Sequence, residues 1–285
     1  MPEVNTSLGE EARNTSQQIS ADSGSGWRNE DRIGIERKKY GWLSWLRSYF
    51  IFDPLIWAYT VVFGIISIPI SLFGEKERIL HRFARSWSRL IMKTICSPVK
   101  VNGLEKIDTS KSYVYAVNHG SALDIPVLYV YLPFQFRIVF KKELLKYPVI
   151  GWHLKRSGQV CINQQAPSHS IASIRSAVKS LKAGMPLVIF PEGGRTPDGK
   201  VKPFLPGAFF LAIKAQVDIV PVALVGTYEL LPMNTYHIKC RPLEMRVGNP
   251  ISTAGGDLRH MEELSAKVQK AIEELYYRTP MPYTR

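Results

Sequence analysis

The sequence predicts an α/β fold, a mixed, largely parallel sheet flanked by helices and preceded by an N-terminal membrane-associated helical segment. Three observations support this prediction. Short runs of β-branched and aromatic residues alternate with helical patterns from residue 98 onward. Two of these runs end in clusters of polar residues, and a long apolar stretch comes before all of them. The chain has 285 residues and is 45% hydrophobic, which is enough for a sizeable core.

Composition divides the chain into three regions. Residues 1–35 are rich in serine, glutamate, asparagine and glycine and have no apolar periodicity, so we predict a disordered tail. Residues 36–97 are predicted to form a membrane-anchoring helical region, and residues 98–285 an α/β domain. Three cysteines are scattered without metal-ligand spacing, which favours reduced thiols that bind no metal.

Residues 50–73 are almost all apolar, and about 20 such residues are enough to cross a bilayer. Asp53, Pro54 and Pro69 interrupt the run, and lysines and arginines flank it on both sides. A single span would export one basic flank, against the usual preference of these residues for the cytoplasmic side. We therefore predict a broken, re-entrant or interfacial helical hairpin in one leaflet, with a full span as the alternative.

The next segment has the pattern of an amphipathic helix. Between Arg78 and Ile95 the apolar residues recur at helical spacing, and the basic face could lie on lipid headgroups or in water. The net charge of +13 and the pI near 9.6 indicate an anionic partner. Because zinc-ligand spacings and RNA-binding aromatic blocks are both missing from the sequence, we expect no nucleic acid and favour an anionic phospholipid bilayer.

Strands and helices alternate through the rest of the chain. Strands are predicted at 99–101, 112–117, 137–141, 158–162, 186–190, 219–225 and 243–247, and helices after Ser121 and at 168–182, 207–216 and 257–277. In such a sheet, active residues are expected at the ends of strands.

The segment 118–124, which reads Asn-His-Gly-Ser-Ala-Leu-Asp, follows one predicted strand directly. Ser121 is predicted to cap the helix that comes next. Asp124 could then accept a hydrogen bond from one imidazole nitrogen of His119 and leave the other nitrogen free to take a proton, as a general base requires. Taken alone, this short motif favours a capping or packing arrangement over a catalytic one.

A second polar cluster follows another predicted strand. Residues 190–196 read Phe-Pro-Glu-Gly-Gly-Arg-Thr. The two glycines, including Gly193, would let the backbone approach a ligand closely, while Glu192 and Arg195 offer groups suited to a phosphate or a hydroxyl. Two such clusters in one chain predict one shared cleft.

Together these motifs resemble the first and third sequence blocks of the glycerophospholipid acyltransferase family. Residues 219–224 resemble the fourth block, and the segment that begins at Lys141 is similar to the family's lysine-containing segment. The resemblance implies transfer of a fatty acyl chain from acyl-CoA or acyl-carrier protein to the free hydroxyl of lysophosphatidic acid, without a metal or other cofactor. His119 and Asp124 would be catalytic in such an enzyme. Substrate contacts are implied for Asn118, Lys141, Gln164, Glu192, Gly193 and Arg195.

Gln164 departs from the family pattern, which usually has an arginine associated with the acceptor phosphate at this position. Glutamine can donate a hydrogen bond but carries no charge. Other lysophospholipids and glycerol-3-phosphate therefore stay open as acceptors. A thioesterase that passes the acyl chain to water and a non-catalytic membrane adaptor are the alternatives of a different class. Because acyl thioesters are made in the cytoplasm, we expect the catalytic domain to face it from the inner membrane.

Overall fold

The computed structural model describes residues 41–72, 76–163 and 171–278. The predicted tail and Gln164 lie outside the described residues. One sheet of seven strands forms the centre of the fold. The strands are β1 (Val99–Asn102), β2 (Val114–Val117), β3 (Arg137–Lys141), β4 (Val160–Ile162), β5 (Leu187–Ile189), β6 (Ile219–Val225) and β7 (Leu243–Val247).

The strand order across the sheet is β1-β7-β6-β2-β5-β3-β4. Every neighbouring pair is parallel except β6 and β7, which are antiparallel. The prediction of a mixed, largely parallel sheet is therefore confirmed. All residues of β2 and β6 are buried. Both strands are covered on both faces, and strands in that position have continuous apolar sequences.

Helices cover both faces of the sheet. They are α1 (Trp42–Arg47), α2 (Asp53–Ile70), α3 (Lys76–Ile95), α4 (Asp124–Tyr131), α5 (Ile150–Arg156), α6 (Ile171–Lys182), α7 (Phe210–Ala215), α8 (Thr227–Leu230) and α9 (Met261–Tyr276). Helices α3 and α4 share one core cluster with the side chains of Val220 and Val222 in β6. Leu275 of α9 packs near Pro221, whose side chain points to the opposite face.

Helix α4 begins at Asp124, so the prediction that Ser121 caps it is wrong. The Ser121 hydroxyl instead accepts a hydrogen bond from the Leu123 N–H at 3.2 Å. The Asp124 carboxylate accepts one from the Ser121 N–H at 2.9 Å. Residues 121–123 form a turn because these local side-chain hydrogen bonds compete with helical ones.

The N-terminal apolar segment is one continuous helix, Trp42–Ile70, which comprises α1, a π-helical turn (Ser48–Phe52) and α2. It is 29 residues long, an 18-residue window within it has a mean hydropathy of 1.8, and by length and composition it could cross a membrane. The predicted interruption at Asp53 and Pro54 is therefore wrong. The π-helical turn runs directly into α2 just before Pro54, and such a local change of the hydrogen-bond pattern accommodates the missing N–H of a proline inside a continuous helix.

Helices α2 and α3 form an antiparallel hairpin. The Trp87 indole donates a hydrogen bond to the Thr60 hydroxyl at 3.1 Å, and the rings of Phe63 and Phe83 lie 6.1 Å apart. A residue further along α2 therefore contacts a residue earlier in α3, as expected for antiparallel helices. The hairpin consists of the whole apolar helix and the amphipathic helix that follows it, rather than of two halves of residues 50–73.

Candidate active site

Three adjacent parallel strands bring the predicted site residues that the structure describes to one edge of the sheet. His119 follows β2, the 190–196 loop follows β5, and Lys141 ends β3. The carboxyl ends of parallel strands meet at one edge, which is where α/β proteins usually bind ligands. The Thr196 N–H donates a hydrogen bond to the His119 carbonyl at 2.9 Å, so the structure does bring the two motifs together.

His119 and Asp124 form the pair that the sequence predicts. The imidazole Nδ1 lies 2.8 Å from Asp124 Oδ2, and the two side chains are 18% and 0% exposed. The same carboxylate oxygen accepts the Ser121 N–H, and the Phe190 ring stacks on the imidazole at a centroid distance of 4.1 Å. When the carboxylate accepts a hydrogen bond from Nδ1–H, the Nε2 atom of the neutral imidazole has no proton and can act as a base. Within the described part of the chain, Nε2 has no hydrogen-bond partner.

Glu192 is 5% exposed and joins the two motif loops. One carboxylate oxygen accepts the His119 N–H at 2.8 Å, and the other accepts the Lys202 N–H at 3.3 Å. Burial raises the pKa of Glu192 to about 7, although the two N–H donors and the Lys202 charge act in the opposite direction. The observed contacts of Glu192 are thus to backbone, and its predicted contact with an acceptor stays a prediction.

Asn118 and Gly193 shape the backbone around the site. The buried Asn118 amide donates to the Leu224 carbonyl at 3.1 Å and accepts the Leu224 N–H at 2.7 Å, which bridges the end of β2 to β6. Gly193 has φ +68° and donates its N–H to the Phe190 carbonyl. This left-handed conformation favours glycine. Their predicted contacts with substrate are not tested by this geometry.

Cationic side chains surround the 190–196 loop. Lys141 is exposed, and a Cβ added to Gly194 would lie 3.6 Å from its Nζ. Lys202 Nζ donates to the carbonyls of Glu192 at 3.5 Å and Gly194 at 3.3 Å. Arg195 is half-buried and makes no hydrogen bond or ion pair with any residue in the described ranges. Such a set of cations is suited to a phosphate.

Sequence reasoning missed Phe190 and Lys202. Phe190 was predicted as the end of a strand and the start of the second polar cluster, without a contact to His119, and no motif marks Lys202, whose N–H donates to a carboxylate ten residues earlier in the chain. Over residues 41–72, 76–163 and 171–278, no group of three or more His, Cys, Asp or Glu residues could hold a metal ion. The groups that the described residues place at this edge of the sheet are thus one histidine, two carboxylates and three cationic side chains, those of His119, Asp124, Glu192, Lys141, Arg195 and Lys202.

Comparison with known proteins identifies the family. A family model described as Acyltransferase matches residues 98–225, which include every predicted site residue. The 1-acyl-sn-glycerol-3-phosphate acyltransferase of Helicobacter pylori is 31% identical over 61% of the chain and 75% of the relative. The chain belongs to the acyltransferase family. The chloroplastic 1-acyl-sn-glycerol-3-phosphate acyltransferase of Arabidopsis thaliana is 32% identical over 61% of this chain.

The chain spans about half the length of several plant relatives, with 49% of the Arabidopsis protein and 53% of the Cocos nucifera protein covered. Its fold matches the crystal structure of the 1-acyl-sn-glycerophosphate acyltransferase from Thermotoga maritima. That comparison has a TM-score of 0.65 and 25% identity, and covers 81% of this chain and 92% of the other.

Proposed function

We propose that this acyltransferase moves a fatty acyl chain from acyl-CoA or acyl-carrier protein to the free hydroxyl of lysophosphatidic acid, giving phosphatidic acid for phospholipid biosynthesis. The observation that carries the proposal is the His119–Asp124 pair, whose Nδ1 and Oδ2 atoms lie 2.8 Å apart. The His119 carbonyl accepts a hydrogen bond from the 190–196 loop, around which the cationic side chains lie. Relatives in plants and bacteria whose names state this activity support the choice of acceptor.

The reaction needs one general base. His119 Nε2 takes the proton of the acceptor hydroxyl as its oxygen forms a bond to the thioester carbonyl carbon. The carbon–sulfur bond then breaks, and the imidazolium returns the proton to the departing thiolate. The buried Asp124 stabilises the imidazolium and holds its tautomer. No covalent acyl-enzyme and no metal or other cofactor takes part.

The cations favour an acceptor with a phosphomonoester. Lys141 and Lys202 reach the loop that carries Arg195, and a dianionic phosphate gains more from three cations than a phosphodiester does. An acceptor panel of lysophosphatidic acid, glycerol-3-phosphate and lysophosphatidylglycerol tests this with purified protein. Lysophosphatidic acid should give the highest kcat/KM. A preference for lysophosphatidylglycerol would overturn the acceptor assignment, and label recovered only as free fatty acid would indicate a thioesterase.

Replacement of His119 tests the mechanism. His119→Ala should lower kcat by about 10²–10⁴-fold, the usual contribution of a general base. Asp124→Asn should be severe but leave more activity. His260→Ala is a matched control, because His260 also pairs with an aspartate, Asp257 at 3.0 Å, but is 60% exposed. If His119→Ala kept more than about a tenth of the activity, His119 would not be the base.

We also propose that the Trp42–Ile70 helix lies in one leaflet and holds the catalytic domain on the cytoplasmic face of the inner membrane. One side of the helix exposes large apolar residues such as Phe50, at 75%, and Ile65, at 54%. The other side packs on the domain near both ends, where Ser44 contacts His237 at 2.9 Å and Ser67 contacts His153 at 3.4 Å. A helix held along its length in this way favours an interfacial position.

A further inference from the structure

The segment between β3 and α5, residues 142–149 and here called the β3–α5 loop, carries exposed apolar side chains. Leu144 is 39% exposed and Tyr147 58% exposed, and Ile150, the first residue of α5, is 38% exposed. The exposed lysines Lys142 and Lys146 flank them. An aromatic ring with aliphatic and lysine neighbours is typical of protein surfaces that meet lipid headgroups.

The loop is also fixed against the apolar helix. Val149 packs onto Gly64 of α2 so closely that a Cβ on Gly64 would overlap Val149 Cγ1. Val149 has φ +54°, a conformation that is strained for a β-branched residue and persists only where packing holds it. Helix α5 adds contacts from His153 to Ser67 and from Arg156 to Ser71, both at 3.4 Å.

The exposed apolar residues of the loop adjoin those of α2. Ile65 and Ile68, which are 54% and 37% exposed, neighbour the strip of Gly64 and Ser67 on which the loop and α5 pack. The lysines add positive charge at the edge of this apolar surface. The exposed apolar surface of the loop continues into that of the apolar helix and has positive charge at its edge. Both features point to an anionic phospholipid bilayer as the partner that covers this surface.

We propose that the β3–α5 loop is a second membrane contact, in which Leu144, Tyr147 and Ile150 enter the headgroup layer and Lys142 and Lys146 bind lipid phosphates. This inference rests on the proposed membrane attachment of the Trp42–Ile70 helix. It assigns the loop a role beyond attachment, because the loop begins directly after Lys141, whose Nζ reaches Gly194 of the catalytic edge. A lysolipid phosphate can then pass from the bilayer surface to Lys141 without leaving the interface.

An environment-sensitive fluorophore tests insertion in the full chain with its three native cysteines, Cys96, Cys161 and Cys240, replaced by alanine. The fluorophore is attached in turn to Tyr147→Cys, to Phe50→Cys on the apolar helix, and to Thr109→Cys. Thr109 is exposed in the turn before β2 and so lies at the opposite edge of the sheet. Vesicles of phosphatidylglycerol and phosphatidylcholine are added, with and without nitroxide-labelled lipid.

The probe at Tyr147→Cys should shift its emission to the blue and be quenched by nitroxide lipid, while the probe at Thr109→Cys should not change. If the probe at Phe50→Cys responds and the one at Tyr147→Cys does not, the helix binds membrane and the loop proposal is overturned. If neither responds, the proposed membrane attachment fails and this inference fails with it.

Activity gives a second readout. Leu144→Glu with Tyr147→Glu should lower kcat/KM by about tenfold or more for a long-chain lysophosphatidic acid held in vesicles, because charge opposes insertion. The same variant should stay within about twofold of the wild type on a short-chain, water-soluble lysophosphatidic acid, because the site itself is unchanged. Thr109→Glu is the control. Equal losses on both substrates, or no loss on either, would overturn the proposal, whereas an inactive wild-type protein would count against the proposed function alone.

Discussion

Glu192 is the residue on which the two motif loops depend. Its carboxylate accepts the backbone N–H of His119 and that of Lys202, and its own carbonyl accepts the Lys202 ammonium. The position of the His119 imidazole is therefore set partly by Glu192, which holds the His119 backbone. The raised pKa of Glu192, about 7, reflects its burial, which outweighs these donors.

Glu192→Gln should destabilise the protein, because the amide NH2 can only donate and would face one of the two backbone N–H donors, whereas a carboxyl has an oxygen there in either protonation state. The buried N–H left without an acceptor should cost about 1–3 kcal/mol. The wild-type carboxyl, with its pKa raised from 4.5 to about 7, binds more protons folded than unfolded in that range, so its contribution to stability falls as pH rises through it. Urea unfolding should show the stability difference between wild type and variant shrinking over this range. A difference independent of pH would contradict the assignment, and Glu105→Gln, at an exposed position, is the control.

Contacts between elements hold the apolar helix against the domain. Gly64 in α2 and Val149 before α5 form one of these contacts, and the strained Val149 backbone is held by it. Further along the hairpin, Trp87 and Thr60 tie α3 to α2. The loop that carries Lys142 and Lys146 therefore has a defined position relative to the helix that we propose as the anchor.

Gly64→Ala should lower the free energy of unfolding by about 1–3 kcal/mol, the usual cost of overpacking. Val149→Gly in the same chain should recover most of it, because glycine both removes the overlapping methyl groups and suits φ +54°. Thermal and urea unfolding measure both effects. Gly207→Ala is the matched control, since nothing lies within 4 Å of a Cβ there. A Gly64→Ala protein as stable as wild type would show that the helix and loop do not pack as described.

For the molecule as a whole, the proposed single-leaflet position of the Trp42–Ile70 helix predicts that the chain segments before and after this helix both stay in the cytoplasm. Cysteines at Ser25, outside the described residues, and at the exposed Ser176 should both be protected from an impermeant thiol reagent in intact cells that lack the native cysteines. Both should react once the membrane is opened. Labelling of Ser25 with protection of Ser176 would instead establish a full span.

Local pattern was enough to predict the strands. The predicted bounds of β3, β6 and β7 agree with the observed Arg137–Lys141, Ile219–Val225 and Leu243–Val247. Strand β6 is buried on both faces and has an uninterrupted apolar sequence, while in β3 and β7 apolar residues alternate with charged ones or stand between them. His119 and Asp124 were predictable as a pair because Asp124 lies only five positions after His119 in the chain. The short helices α5 and α8 were missed, since too few residues form each for a period to be visible.

Contacts between residues distant in the chain could be found only in the folded protein. Asn118 pairs with the Leu224 backbone 106 residues away, and Glu192 with the His119 N–H 73 residues away. Neither partner is a side chain, so the residue types at those positions carry no sign of the contact. The sequence alone thus predicts which residues stand at the ends of the strands. Which of them bind backbone and which remain free for a ligand depends on strand order, because only the order of β6, β2 and β5 places those N–H and C=O groups within reach.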